Sequence, residues 1–149
     1  MPTSVNLATP ADIDDLAQLL HSLFSQDIEF APDLEKQKAG LQQIIDNPTI
    51  GEILVLKTDN KTIGMVSLLY SISTALGGKV AILEDMVIAE GFRQSGYGKQ
   101  LLQEAIAFAK LRNCLRITLL TDFDNETAIR FYQQTGFNLS KMIPLRLVF

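Results

Sequence analysis

The chain has one cysteine and one histidine among its 149 residues. Cys114 cannot close a disulfide within the chain, which fits a reducing compartment, and a cytoplasmic protein is expected. No His, Cys or carboxylate spacing suggests a metal site, so no metal is expected. Basic residues are the minority, 13 against 17 acids, and the net charge is −4. Phosphate backbones need clustered Lys and Arg, so no nucleic-acid partner is expected. Long hydrophobic runs are also lacking. Met65-Val66 and Leu68-Tyr70 flank a lone serine and fall far short of the roughly 20 residues that span a bilayer. Met1 to Ser4 has neither a basic nor an apolar leader region, so no secretory signal and no membrane partner are expected. Repeats, low-complexity tracts and linkers do not occur, and residues 1–149 are expected to form a single domain.

What is present is enough for a core. Hydrophobic residues make up 47% of the chain, which rules out a disordered sequence. Val5-Asn6-Leu7 suggests a short strand, and Thr9-Pro10 then opens a helix, the threonine as cap and the proline at a tolerated first position. Ile13, Leu16, Ala17, Leu19, Leu20 and Leu23 recur at helical spacing. A loop from Phe24 to Pro32 precedes a helix over Asp33 to Asp46, which Asn47-Pro48 stops. The period then changes. Glu52 to Lys57 and Thr62 to Ser71 are rich in Ile, Val and Leu around Thr58-Asp59-Asn60-Lys61, a hairpin signature. Lys79 to Ala89 reads as a third long strand, Gly98 to Arg112 as a helix, and Cys114 to Thr121 as an apolar strand. A short helix from Asn125 to Thr135 ends at Gly136, and Phe137 to Leu139 and Ile143 to Phe149 are terminal strand candidates. The order β-α-α-β-β-β-α-β-α-β-β is that of a mixed α/β domain.

The chemistry concentrates in Ile88-Ala-Glu-Gly-Phe-Arg-Gln-Ser-Gly-Tyr-Gly-Lys99, where a strand feeds a glycine-containing loop that opens a long helix. Free N–H groups of such a loop converge on one spot, the helix dipole adds positive potential, and a pyrophosphate suits that place. A dinucleotide fingerprint would need glycine where Leu101 stands, and a P-loop would need Ser or Thr where Gln100 stands. An ordinary strand-to-helix loop with two glycines stays open on spacing alone.

Arg93-x-x-Gly96-x-Gly98 resembles the acyl-CoA pyrophosphate motif of the GNAT superfamily of N-acetyltransferases. Leu83-Glu84-Asp85-Met86-Val87-Ile88 is similar to that family's fourth strand, Asn125 to Tyr132 to its N-x-x-A-x-x-F-Y helix, and Gly136-Phe137 to the pair that closes it. The resemblance implies a GNAT fold, a mixed and mostly antiparallel twisted sheet flanked by helices. It implies an enzyme that moves an acetyl group from acetyl-CoA to a primary amine by direct attack in a ternary complex, without a metal. Backbone groups of Met86, Val87 and Ile88 would pair with the pantetheine arm. Main-chain N–H groups of Gln94, Ser95, Gly96, Tyr97, Gly98 and Lys99 would hold the pyrophosphate, with Arg93 bordering the loop. Asn125 would contact the arm and Tyr132 would lie near the sulfur. Glu90 and Gln94 depart from the family's usual proline and glycine, yet neither removes an N–H.

The reaction explains these residue types. The amine must attack as its free base although an alkylamine has a pKa near ~10, the oxyanion needs donors, and the thiolate leaves more easily when protonated. Tyr132 is the candidate proton source. Glu84 and Asp85 are neighbours on a strand, so their side chains are expected on opposite faces. Glu84, in register with Met86 and Ile88, is the candidate general base, and Asp85 would attract a cationic acceptor. Asp27, Glu29, Asp33 and Glu35 read as a solvated loop and helix start, and the resemblance implies that this region borders the acceptor pocket. His21 reads as surface and Cys114 as structural. The acceptor expected first is a small amine or polyamine, with a peptide or protein amine, or a non-catalytic CoA-binding module, as rivals. Dimerisation is frequent in that family.

Overall fold

The computed structural model describes residues 2–25 and 32–149. It divides into two compact units, one ending at Leu119 and one running from Leu120 to Phe149. The first unit holds a five-stranded sheet in the order β1 (Thr3–Leu7), β2 (Gly51–Thr58), β3 (Lys61–Ser73), β4 (Gly78–Ile88) and β5 (Ile117–Leu119). Neighbours from β1 to β4 are antiparallel, and β5 runs parallel to β4. The β2–β3 hairpin turns at Asp59 and Asn60, both at positive φ (50° and 62°), as a tight two-residue turn requires.

Helix α1 (Ile13–Phe24) follows a 3-10 turn at Pro10–Asp12, where the Thr9 N–H donates to the Asp12 carboxylate at 2.8 Å. Asp33 caps α2 (Leu34–Asp46) by accepting from the Lys36 N–H at 3.2 Å. Leu16, Leu20 and Leu41 of these helices join Ile53, Val55, Met65 and Val87 in one core cluster. Alternation puts Leu54, Leu56, Val66 and Leu68 on the opposite face, where α3 (Tyr97–Leu111) buries Leu101, Leu102, Ala105 and Ala109.

In the second unit, α4 (Glu126–Gln134) starts at Asn125, whose side chain accepts from the Ala128 N–H at 3.1 Å. It ends at Gly136, in the left-handed region at φ 109°. Two expectations need correction. Residues 137–139 and 143–149 form no strand, and Leu145 and Phe149 stand 91% and 110% exposed. Alternating apolar residues make a strand only where a neighbour completes the ladder, and Pro144 also lacks an N–H to offer. The strand expected over Cys114 to Thr121 shortens to Ile117–Leu119, because β5 meets β4 only along Ala81 to Leu83.

Candidate active site

The loop between β4 and α3 is shaped by three residues at positive φ: Gly91 (89°), Gln94 (61°) and Gly96 (86°). Gly96 is the N-cap of α3, and a Cβ built there would meet nothing in the chain within 4 Å. The space in front of it is therefore open to a ligand. Among the described residues, the main-chain N–H groups of Gln94 to Lys99 donate to no carbonyl outside the helix, and Gln100 is the first to bond back, to Gly96 at 3.1 Å. Six donors and a helix dipole thus share one short stretch, which fits a pyrophosphate.

Arg93, expected to border the loop, is engaged by neighbours within the chain. Its Nε donates to the Ile88 carbonyl at 2.9 Å and its Nη2 to the Ser22 hydroxyl of α1 at 3.3 Å. It fastens the loop to the strand end and to α1. Beside this fastening lies an open groove of about 370 Å³ whose lining includes Asp15, Gln18, Lys61, Thr62 and Glu90.

The second feature is a bulge in β4. Ser67 pairs with Glu84 and Met65 pairs with Val87, so Val66 alone faces Asp85 and Met86. Asp85 takes up the extra residue in the left-handed region, at φ 53°. The register expected for Glu84 is corrected here. Met65 and Ser67 share a face of β3, so Glu84 shares its face with Val87 and not with Met86 and Ile88. Beyond Leu83, β4 has no partner on its β5 side within this unit, since that ladder covers only Ala81 to Leu83. An extended ligand arm could pair with this edge at Met86 to Ile88.

The polar groups at the bulge differ in surroundings. Glu84 is exposed. Asp85 is partly buried, and burial, followed by the Glu84 charge, pushes its carboxyl up to about 6. It has no hydrogen bond or ion pair among the described residues. Across the ladder, Ser67 is 1% exposed and its Oγ has no hydrogen-bond partner. Sequence reasoning missed both the left-handed Asp85 and the orphaned Ser67, and nothing in the regular run of β4 signals a bulge.

In the second unit, Tyr132 stacks edge-on against Phe131 and Phe137, with centroids 5.2 and 5.8 Å away. Burial pushes its phenol up, so the hydroxyl keeps its proton. Asn125 spends its carbonyl oxygen on the helix cap and keeps its amide N–H groups for other partners. The two residues sit seven apart, about 10.5 Å along the axis.

The remaining expectations sort simply. Asp27 and Glu29 lie outside the described residues, Asp33 is a helix cap, and Glu35 and His21 are exposed. Burial raises the Cys114 thiol, which keeps it protonated and unreactive. Among the described residues no cluster of His, Cys, Asp and Glu is placed to hold a metal ion, and no helix is long and apolar enough to cross a membrane.

Comparisons with known proteins identify the family and the fold. The model of the acetyltransferase (GNAT) family matches residues 13–137. The uncharacterized N-acetyltransferase YhfO of Bacillus subtilis is 29% identical over 124 residues, 81% of this chain and 83% of that one. N-alpha-acetyltransferase 30 of Schizosaccharomyces pombe is 36% identical over 64 residues, 43% of this chain and 41% of that one. A crystal structure of a possible acetyltransferase from Clostridium difficile 630 superposes with a TM-score of 0.87 at 14% identity, covering 100% of both chains, and shows the same fold.

Proposed function

The chain belongs to the acetyltransferase (GNAT) family and is an acyltransferase, and on that premise we propose that it moves an acetyl group from acetyl-CoA to the primary amine of a small cationic molecule, in a ternary complex. The observation that carries the cofactor half is the run of unengaged N–H groups from Gln94 to Lys99, opening on the space before Gly96. Bound there, acetyl-CoA supplies an activated acetyl thioester.

The chain's own groups do the rest. Gln94 to Lys99 hold the pyrophosphate with main-chain donors, and Arg93 keeps their loop in place. The unpaired edge of β4 from Met86 to Ile88 aligns the pantetheine arm and offers N–H groups to the developing oxyanion. Glu84 and Asp85 attract a cationic amine and accept its proton. Asn125 contacts the arm, and the Tyr132 hydroxyl protonates the departing sulfur.

Release of free thiol from acetyl-CoA, followed with diamines, polyamines, amino sugars, aryl amines and N-terminal peptides, tests the reading. Diamines or polyamines should be the best acceptors, with rates that fall as salt rises. Equal rates with uncharged amines would remove the role given to the carboxylates. N-terminal peptides as the best acceptors would favour the activity named for the fission-yeast relative. Tight acetyl-CoA binding with no thiol release from any acceptor would make the chain a CoA-binding module.

A further inference from the structure

The groove of about 370 Å³ beside the Arg93 fastening is built by three elements, and its charges are unpaired. Asp15, Gln18 and Ser22 stand on one face of α1, at the i, i+3 and i+7 positions. Lys61 and Thr62 open β3, and Ala89 and Glu90 follow the end of β4. Elsewhere near the start of α1, Asp12 and Asp14 each hold a lysine, Lys57 at 2.8 Å and Lys38 at 3.3 Å. Asp15 and Glu90 have no ion pair among the described residues, although Lys61 shares their groove. The Lys61 ammonium lies 5.2 Å from the centroid of the Phe92 ring, a contact that leaves N–H donors for an anion. Thr62 adds a hydroxyl oxygen that has no hydrogen-bond partner. A polar ligand is the partner that this lining lacks.

The signs of the charges say which ligand. Arg93, whose Nη2 reaches Ser22, adds a second cation beside the lining, so two carboxylates and two cations surround one space without an ion pair between them. An anion or a cation alone would upset that balance, whereas a molecule with one charge of each sign keeps it. We propose that this groove binds a free α-amino acid. Its ammonium group bonds to Asp15 and Glu90, its carboxylate bonds to Lys61, and its side chain lies against Leu19 and Ala89.

This site goes beyond the acetyl-transfer reading and does not overlap the place that reading gives to acetyl-CoA. The Ala89 N–H donates to the Ile63 carbonyl at 2.7 Å, so the groove lies over the β3–β4 pairing, beside α1. The edge from Met86 to Ile88 that would take the pantetheine arm is on the other side of β4, beyond the short ladder to β5. Both places can therefore be filled at once. A volume of about 370 Å³ is within the range of small-molecule sites.

Isothermal calorimetry of the full chain with L-alanine, L-serine and L-glutamine tests the site, with propionate and L-alaninamide as probes that keep one charge each. At least one amino acid should bind with a Kd of about 1 mM or tighter, with CoA present or absent. Both single-charge probes should bind about 5-fold more weakly or worse. Lys61→Met and Asp15→Asn replace exposed side chains by neutral ones of similar size, so both should fold and keep native CoA affinity. Each should weaken amino-acid binding about 5-fold, and Glu84→Gln should leave it unchanged. Absence of binding by all three amino acids, or equal binding by the single-charge probes, would overturn the proposal. So would binding that Glu84→Gln abolishes and Lys61→Met leaves native, which would put the amino acid at the acceptor's place on β4. Failure here leaves the acetyl-transfer reading standing, because thiol release measures that separately.

Discussion

Arg112, at the end of α3, grips the Glu52 carboxylate of β2 with two hydrogen bonds, Nε to Oε1 at 2.7 Å and Nη2 to Oε2 at 3.0 Å. The Tyr70 hydroxyl donates to the same carboxylate at 2.8 Å. Glu52 is 8% exposed, and although burial pushes its carboxyl up, Arg112 and Tyr70 outweigh burial and hold it below the usual range. Removing the arginine leaves a buried carboxylate with the hydroxyl alone. Arg112→Met should therefore lose about 2 kcal/mol in urea unfolding. Acetyl-CoA affinity should stay native, because the pair lies at the opposite end of α3 from Gly96. The native pair's contribution should fade as acid protonates Glu52, since a depressed carboxylate stabilises only above its folded titration. An equal loss in both stability and cofactor affinity would mean that the two ends of α3 are coupled.

Gly96 separates backbone strain from charge. Gly96→Asn and Gly96→Asp both place a Cβ at φ 86°, into space that the chain leaves empty. Both should fold, with melting points lowered by similar amounts. Acetyl-CoA should still raise the melting point of Gly96→Asn slightly, and should do nothing for Gly96→Asp, whose carboxylate would face the pyrophosphate. A native thermal shift in Gly96→Asp would place the phosphates elsewhere.

Asp85 should make stability depend on pH in an unusual direction. An acid whose folded titration lies above its unfolded value, here about 6 against 3.8, favours the folded state when protonated. Its cost begins as pH rises past about 4, grows to about pH 6 and is constant beyond. Asp85→Asn cannot ionise, so it should be more stable than the native chain by roughly 2–3 kcal/mol at pH 8. The gain should shrink steadily between pH 6 and pH 4. Urea midpoints across that range measure it, and a gain independent of pH would show that ionisation is not its source.

Tyr132→Phe keeps the ring that packs against Phe131 and Phe137 and removes the hydroxyl. Folding and acetyl-CoA affinity should be native. Single-turnover acetyl transfer should fall about 10²–10⁴-fold if the hydroxyl protonates the sulfur. A native rate would make Tyr132 a packing aromatic only.

The legible parts of the sequence were those fixed by local chemistry. Asp59-Asn60 tolerate positive φ and so make the hairpin turn, Thr9-Pro10 start α1, and Asn125 and Gly136 bracket α4. The loop from Glu90 to Lys99 was legible for the same reason. What depended on pairing was not. The bulge at Asp85 reverses faces without changing the run of side chains, so Glu84 was assigned to the wrong row. The apolar residues from Ile143 to Phe149 resemble a strand, yet pattern alone supplies no neighbouring ladder. The resemblance put Arg93 at the border of the loop, but its reach to Ile88 and Ser22 is a matter of tertiary placement that the motif does not carry.

The donors proposed to face the phosphates, the N–H groups of Gln94 to Lys99, are main-chain atoms, and every amino acid but one carries them. Random substitution across this stretch should thus leave an uneven record. Ser95, Tyr97 and Lys99 can change letter after letter without loss of a donor, Gln94 only to residues that tolerate its φ of 61°, whereas proline at any of them deletes one, and any side chain at Gly96 would enter the space proposed for the ligand. Recognition of that kind would be written in the backbone, so lineages that keep the loop's shape should drift far apart in spelling and still inherit the grip.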